Sequence, residues 1–184
     1  MPSQPPTTVE EFDIYALLPE NRKKLLQFFG GQVHEVIPHA FYSIIGARMC
    51  GFMGMYIFKH DLGYVTSANG GYCIGNERYI PDMAFISYAR LPEVQSEAGY
   101  IPVPPELAVE VFSPGNTDAE LRLKIAGYLS VGTVVWVVNH KKQVVEVYAP
   151  DEAPRILRSG DTLDGGSILP GFALAVDAIF KDLR

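Results

Sequence analysis

The sequence predicts an α/β fold in which a mixed β-sheet is flanked by helices. Two apolar-rich segments, LAVEVF (107–112) and TVVWVVN (133–139), enclose a stretch with helical spacing. A strand–helix–strand unit of this kind implies parallel neighbouring strands that are buried on both faces. The composition agrees, because 184 residues with 48% hydrophobic and 20% charged residues are typical of a compact domain and exclude a disordered or coiled-coil chain.

The N-terminal part predicts a flexible tail over residues 1–7 and a single domain over residues 8–184. Thr8 and Glu11 mark the capped start of a helix that runs to about Leu18. We expect a second helix over residues 20–29, since the glycines at positions 30 and 31 favour a helix end. The alternating segment QVHEVIP that follows predicts a first strand.

Residues 41–58 are almost wholly apolar, which raises the alternative of a membrane span. Arg48 lies near the centre of this segment, where a bilayer penalises a charge by several kcal/mol. We therefore predict a buried helix. Its glycines and methionines favour close packing against a sheet or a second subunit.

Short β-like runs continue the chain from residue 62 to residue 86, separated by Asn-Gly-Gly and Gly-Asn. These are hairpin signals, and they predict an antiparallel meander. Thr117 and Glu120 form a second capping box, which starts the helix of the strand–helix–strand unit. Further strands, a turn at 164–166 and a short helix at 176–180 are expected to complete the domain.

Charge and cysteine content restrict the function classes. The chain has 15 Lys plus Arg against 21 Asp plus Glu, a net charge of −6. This balance excludes a broad nucleic-acid coat, because phosphate binding depends on cationic side chains, so any contact with DNA must be local. Cys50 and Cys73 are too few for a disulfide framework and favour a reducing, cytoplasmic setting. The N-terminus lacks the features of an export signal, and the scattered histidines lack zinc-site spacing.

Two acidic residues interrupt apolar strand patterns. Glu110 shares a strand face with Ala108 and Phe112, and Asp82 lies within IPDMAFIS. A buried unpaired carboxylate costs several kcal/mol and therefore needs a cation, a metal or a proton. The alternative is that Asp82 caps a turn beside Pro81 and that Glu110 pairs with a stray arginine.

Lys124 lies on the helix stripe that faces the sheet, although a lysine at the edge of such a stripe also commonly extends to solvent. Measured from the turn at 113–116, Lys124 lies roughly 10 Å back along the helix. Glu110 lies roughly 10 Å back along the strand. The two side chains are therefore predicted to meet at the same height.

Two carboxylates beside a lysine suit one class of reaction. Hard oxygen ligands bind Mg²⁺ while leaving several waters on the ion, and the ion activates water and neutralises charge at a phosphodiester. The lysine would position or deprotonate the water, or stabilise developing negative charge. Phosphodiester hydrolysis is the reaction that this set of residues predicts.

Three blocks in order, RYIPDMAFIS, PPELAVEVFSPGNTDAELRLKIAGYLSVGTVVWVVN and DTLDGGSILPGF, resemble the Uma family of proposed restriction endonucleases in the PD-(D/E)xK nuclease superfamily. The resemblance covers roughly residues 20–180. It implies a restriction-endonuclease-like core and a Mg²⁺ or Mn²⁺ site built from Asp82 and Glu110. The superfamily lysine, normally two residues after the acid, is replaced here by Phe112, and Lys124 resembles that lysine moved onto the next helix.

One residue, Gln27, departs from the pattern of the family that the sequence resembles. A glutamate often found in this family on the helix before the first strand is matched here by Gln27, whose amide binds a cation more weakly than a carboxylate. This neutral residue and the net charge favour the rival hypothesis of a weak or inactive member that acts as a binding or regulatory module. For an active enzyme we expect a homodimer, because a double-strand cutter needs two active sites and residues 41–58 offer an apolar helix.

Overall fold

The computed structural model describes residues 5–94, 99–113 and 117–183. Four helices lie within these ranges: α1 (Val9–Ala16), α2 (Ala40–Lys59), α3 (Asp118–Ser130) and α4 (Val176–Phe180). The strands of the same ranges are β1 (Leu26–Phe29), β2 (Gln32–Glu35), β3 (Gly63–Ser67), β4 (Gly71–Ile74), β5 (Glu77–Tyr79), β6 (Met83–Ser87), β7 (Tyr100–Ile101), β8 (Leu107–Val111), β9 (Val134–Asn139), β10 (Val144–Tyr148), β11 (Arg155–Leu157), β12 (Thr162–Asp164) and β13 (Ala173–Ala175).

A six-stranded mixed sheet in the order β11-β10-β9-β8-β6-β3 forms the centre of the fold. β8 and β9 are parallel and joined through α3, as the strand–helix–strand pattern predicts. The other neighbours in this sheet are antiparallel. A second sheet has the order β2-β1-β5-β4-β7, and β12 pairs with β13.

The central sheet separates two apolar cores. One face packs against α2 and α4 through residues such as Met83, Val109 and Trp136. The opposite face packs against α3 and the second sheet through residues such as Ala108 and Tyr128. Side chains alternate along a strand, so Glu110, next to Val109, lies on the face toward α3.

Both capping boxes are confirmed. The Thr8 side chain accepts a hydrogen bond from Glu11 N, and the Thr117 side chain accepts one from Glu120 N, while each glutamate bonds back to the N-cap backbone. Each box satisfies backbone N–H groups that a helix start otherwise leaves unpaired. The second box fixes where α3 begins, and therefore at which height Lys124 lies.

The helix predicted over residues 20–29 is wrong. Leu26–Phe29 form strand β1 instead, paired with β2 and β5, and the preceding residues form hydrogen-bonded turns. All four residues of β1 are buried, because one face packs on α1 and the other on the second core. A short, fully buried strand has no alternation of polar and apolar residues, so periodicity does not distinguish it from a helix.

The predicted meander over residues 62–86 is only partly correct. The pairing is antiparallel, but β3 pairs directly with β6, whereas the hairpin β4–β5 between them belongs to the second sheet. Hairpin signals identify turns, and they do not identify the sheet that each strand joins.

The prediction for residues 41–58 holds for one side of the helix. α2 buries Ile45, Met49, Met53 and Ile57 in the core. By length and composition it is the one described helix apolar enough to cross a membrane, and 33% of its most apolar window is buried. Arg48 bonds back to its own chain, with Nη1 donating to Ile179 O at 3.0 Å and Lys181 O at 2.6 Å.

Candidate functional site

Asp82 lies where the chain crosses between the two sheets. β5 ends at Tyr79 and β6 begins at Met83, so the β-like run that contains Asp82 is broken around Pro81. Proline has no N–H to donate to a ladder, which explains a break at this residue. The Asp82 carboxylate is held there by Val111 N, which donates to Oδ2 at 2.7 Å.

The strand register brings Asp82 next to Glu110. Met83 pairs with Val109 across β6 and β8, and one further step along this antiparallel register aligns Asp82 with Glu110. The hydrogen bond from Val111, the next residue on β8, agrees with this alignment. The two acids thus come together from separate strands.

Glu110 and Lys124 form a buried ion pair. Lys124 Nζ lies 2.6 Å from Glu110 Oε1, and the two side chains are 5% and 9% exposed. The predicted meeting of these side chains is therefore confirmed. Arginine is not the partner of Glu110, and the amine does not extend to solvent.

Two buried tyrosines enclose this pair. The Tyr128 hydroxyl donates to the same Glu110 Oε1 at 2.9 Å, and the Lys124 ammonium lies 5.7 Å from the centroid of the Tyr79 ring. The two rings pack edge to face with centroids 4.9 Å apart. Gly127 permits this packing, since a Cβ there would overlap the Tyr79 hydroxyl.

Both tyrosines remain protonated donors in this environment. Burial, reinforced by the charge of Glu110, holds the pKa of Tyr128 well above its ordinary value. Burial and a hydrogen bond to Glu77 raise the pKa of Tyr79. Glu77 in turn accepts a bond from Gly30 N at 2.9 Å, which connects this wall of the site to the turn after β1.

The surroundings of Asp82 shift the pKa of its carboxyl group strongly. Burial, followed by the charge of Glu110, raises the pKa of Asp82 to about 6, although the Val111 hydrogen bond and Lys124 act in the opposite direction. Two carboxylates that repel each other in this way are stabilised in their ionised form by a nearby positive charge. Lys124 supplies part of it, on the Glu110 side.

Helix α2 closes the site from the other face of the central sheet. A Cβ at Gly46 would lie 3.8 Å from the Asp82 Cβ, which is ordinary contact distance. Cys50 lies one turn further along, and burial, together with the charge of Asp82, raises the pKa of its thiol. A protonated thiol beside Asp82 adds no further negative charge.

Gln27 lies on strand β1 and not on a helix, which corrects its predicted placement. It is 9% exposed, and its Oε1 accepts a hydrogen bond from Ile80 N at 2.9 Å. Ile80 is two residues before Asp82. Gln27 therefore holds the crossover segment that carries Asp82.

The donor set fits a hard divalent cation bound mainly through water. Mg²⁺ in proteins is commonly held by one or two carboxylates and keeps several waters, and Asp82 and Glu110 supply two. Within the described ranges, no group of three or more His, Cys, Asp or Glu side chains is arranged to hold a metal ion. The carboxylate oxygens of Asp82 and Glu110 are hard donors, which suit Mg²⁺ or Mn²⁺ better than the sulfur and nitrogen donors of a closed zinc site suit them.

The sequence indicated the acids and the lysine but not the role of Tyr128 and Tyr79. Tyr128 is four residues after Lys124, so both lie on one helix face. A buried tyrosine usually finds a partner for its hydroxyl, and that rule was the available signal for Tyr128. Tyr79 gave no such signal, because its neighbour Lys124 is distant in sequence.

Comparison with known proteins agrees with this architecture. A solved structure described as "a putative nuclease belonging to DUF820 from Anabaena variabilis ATCC 29413" superposes with a TM-score of 0.84 at 19% identity, covering 97% of this chain and 100% of that chain. This similarity shows the fold. No match is found among curated proteins.

The family model Uma2, described as "Putative restriction endonuclease", matches residues 9–177. The match includes Asp82, Glu110 and Lys124, and it agrees with the resemblance that the three sequence blocks indicated. It extends over nearly the whole domain. The chain belongs to the Uma2 family.

Proposed function

We propose that this protein is a metal-dependent DNA endonuclease that hydrolyses phosphodiester bonds. The observation that carries the proposal is the convergence of Asp82, Glu110 and Lys124, with the ammonium 2.6 Å from Glu110 Oε1 and Glu110 raising the pKa of Asp82. A second acid placed against the first costs stability, because the two carboxylates repel each other. At catalytic sites such perturbation is common.

Asp82 and Glu110 would hold Mg²⁺, or Mn²⁺ in its place. When bound, the ion supplies activation of a water and neutralisation of charge on the phosphodiester. Lys124, paired with Glu110 at 2.6 Å, orients the attacking water and stabilises the negative charge that develops on the phosphate oxygens. Tyr128 keeps one oxygen of Glu110 occupied, which leaves the other for the cation.

DNA is the proposed substrate, bound locally, since a net charge of −6 gives no general attraction to a polyanion. We also propose a reducing, cytoplasmic location, because the cysteines Cys50 and Cys73 are both free thiols.

The test is cleavage of supercoiled plasmid with Mg²⁺, Mn²⁺ or EDTA. We expect nicked or linear DNA only with a divalent ion, and loss of cleavage in Asp82→Asn, Glu110→Gln and Lys124→Met. The exposed residues Glu152 and Lys141 provide matched controls, because Glu152→Gln and Lys141→Met make the same chemical changes outside the site. Cleavage that survives all three site variants would reject the proposed residues.

A second function has its own support. Glu110 Oε1 already bonds Lys124 and Tyr128, and Gln27 provides an amide where an acid would bind a second ion. These features favour a weak or inactive nuclease fold that acts as a binding or regulatory module. No cleavage with any divalent ion, while folding and DNA binding persist, would support this function over catalysis.

A further inference from the structure

The second sheet has a cavity on the side that faces α1. We call it the α1 cavity. Its volume is about 420 Å³, and it lies among α1, the turns that follow α1, and strands β4 and β5. The described side chains that line it include three cations, Arg22, Lys24 and Arg78, and one carboxylate, Asp13. This excess of positive charge is the reverse of the balance in the whole chain, whose net charge is −6.

Within the described ranges, two of these cations have no carboxylate partner. Arg78 is neutralised by Asp13, because its Nε and Nη2 donate to the carboxylate at 3.0 and 2.7 Å. Arg22 and Lys24 are exposed, and neither forms an ion pair with another described residue. Arg22 donates to Leu17 O through Nε at 3.0 Å, so its Nη groups keep the donors that suit a phosphate. These two side chains can therefore hold an anion.

A buried amide fixes the position of the Lys24 amine. Asn21 is 2% exposed, its Oδ1 accepts a hydrogen bond from Lys24 Nζ at 3.0 Å, and its Nδ2 donates to Tyr15 O at 2.9 Å. A flexible surface lysine loses side-chain entropy when it binds a ligand. Because Lys24 is already held, an anion that binds here costs less of this entropy.

The α1 cavity adjoins the segment that carries Asp82. Ile80 lines the cavity and lies two residues before Asp82, so the Cα atoms of these residues are at most about 7 Å apart. Gln27 accepts a hydrogen bond from Ile80 N and holds this segment. Successive phosphates of one DNA strand are about 3.4 Å apart along the helix axis. The cavity thus lies within a few nucleotides of a phosphate held at Asp82.

We propose that the α1 cavity is a subsite in which Arg22 and Lys24 bind a phosphate of the DNA strand, a few nucleotides from the bond that is cleaved. The inference rests on the proposed function, since it takes DNA as the ligand. It identifies where an acidic chain makes the local contact with DNA that its composition requires. Arg22 supplies paired donors to the phosphate oxygens, and Lys24 supplies a point charge.

A phosphate that belongs to a strand suits this subsite better than a free anion. Two exposed cations attract a free anion weakly, because water screens the interaction. A strand that is already held at Asp82 and Glu110 presents its next phosphates to the cavity at a high effective concentration. The subsite therefore adds affinity for DNA without binding small phosphates tightly.

The test is the affinity of a fluorescein-labelled DNA duplex, measured by fluorescence anisotropy in EDTA at several salt concentrations. EDTA separates binding from the proposed metal-dependent cleavage. Arg22→Gln combined with Lys24→Gln should raise the dissociation constant about tenfold or more, and should reduce the slope of log K against log[salt] by about 1 for each cation removed. Lys141→Gln combined with Lys142→Gln is the matched control, since both lysines are exposed and the same charge is lost. The control should change the dissociation constant less than about twofold.

Asn69→Asp tests the same cavity without removing a contact of Arg22 or Lys24. Asn69 is exposed and lines the cavity, so a carboxylate of the same shape should repel a phosphate and weaken DNA binding. Asn76→Asp, exposed in the turn between β4 and β5, is its control and should bind as the wild type does. Circular dichroism and the melting temperature check folding. If the double variant fails to fold, Asn69→Asp decides.

Cys73 provides a readout at the cavity itself, since it lines the cavity and its thiol is free. Bound duplex should slow alkylation of Cys73 in the wild type, followed by peptide mass. This protection should be lost in the double variant of Arg22 and Lys24 at the same DNA concentration.

Three results would overturn the subsite. The first is DNA binding by the double variant and Asn69→Asp that equals that of their controls, and the second is bound DNA that leaves Cys73 unprotected. The third is micromolar binding of dAMP that protects Cys73, with unchanged DNA affinity in the variants, which would identify a free nucleotide as the ligand. A wild type that shows the expected binding and protection but never cleaves with Mg²⁺ or Mn²⁺ would reject the proposed function and support the subsite.

Discussion

Lys124 on α3 and Glu110 on β8 form an ion pair with 2.6 Å between Nζ and Oε1. Both side chains are buried, and the residue two positions after Glu110 on the same strand side is Phe112. The amine beside Glu110 therefore comes from the helix and not from the strand. The parallel β8–α3–β9 unit makes this possible, because α3 packs back across the strand it follows.

Removal of the amine should destabilise the fold. Lys124→Met removes the ammonium and leaves Glu110 buried with a hydrogen bond from the Tyr128 hydroxyl, and breaking a buried pair typically costs about 3–5 kcal/mol. The double variant Lys124→Met with Glu110→Gln should recover much of this loss, since no charge is then buried. Urea denaturation at neutral pH measures both effects, with Lys141→Met as the exposed control. Equal stability of Lys124→Met and Lys141→Met would contradict the expectation.

The raised pKa of Asp82 should make stability depend on pH. The pKa rises from 3.8 to about 6 on folding, so the folded state favours protonated Asp82. This stabilisation is complete below about pH 4 and is lost as the pH rises through about 6. A difference of one pKa unit between the folded and unfolded states corresponds to about 1.4 kcal/mol, so ionised Asp82 lowers the free energy of unfolding by about 3 kcal/mol.

Asp82→Asn does not ionise and should therefore be more stable than the wild type at pH 7 to 8. The difference in the free energy of unfolding between the variant and the wild type should decrease toward pH 4. At neutral pH, Mg²⁺ should also decrease this difference, because it stabilises the wild type alone. Denaturation with and without Mg²⁺ at several pH values measures the difference. A difference that stays constant across this range would show that Asp82 does not titrate as described.

Tyr128 should act as a positioning residue for Glu110. Tyr128→Phe removes the hydroxyl that donates to Glu110 Oε1 at 2.9 Å, so the carboxylate is held less firmly in the orientation that the proposed cation needs. We expect a lower kcat with little change in KM for DNA. Tyr148→Phe is the matched control, because Tyr148 also donates to a carboxylate, that of Glu146, outside the site. A kcat of Tyr128→Phe equal to that of the wild type would contradict the positioning role.

Gln27 should support the segment that carries Asp82 through its bond to Ile80 N. Gln27→Leu leaves a buried N–H unpaired and should cost about 1–3 kcal/mol of stability. Gln27→Glu keeps an acceptor and adds a carboxylate, so Mn²⁺ should raise its melting temperature more than that of the wild type. Gln32→Glu, on the exposed edge of β2, is the control. Equal Mn²⁺ effects in both variants would show that position 27 does not reach the cation.

The sequence by itself predicted the α/β class, both capping boxes and the meeting of Glu110 with Lys124. These features depend on short-range rules: a cap fixes where a helix starts, and rise per residue then fixes the height of each side chain. The parallel strands followed from apolar runs that only a sheet covered on both faces can bury.

Tertiary structure decided the rest. Leu26–Phe29 became a strand because two cores and two partner strands cover it, and local propensity is too weak to resist such packing. The hairpin β4–β5 joined the second sheet, which brought Tyr79 beneath Lys124 and placed Asp82 at the crossover beside Glu110. Contacts between residues so distant in sequence depend on how the sheets pack, and no local spacing encodes them.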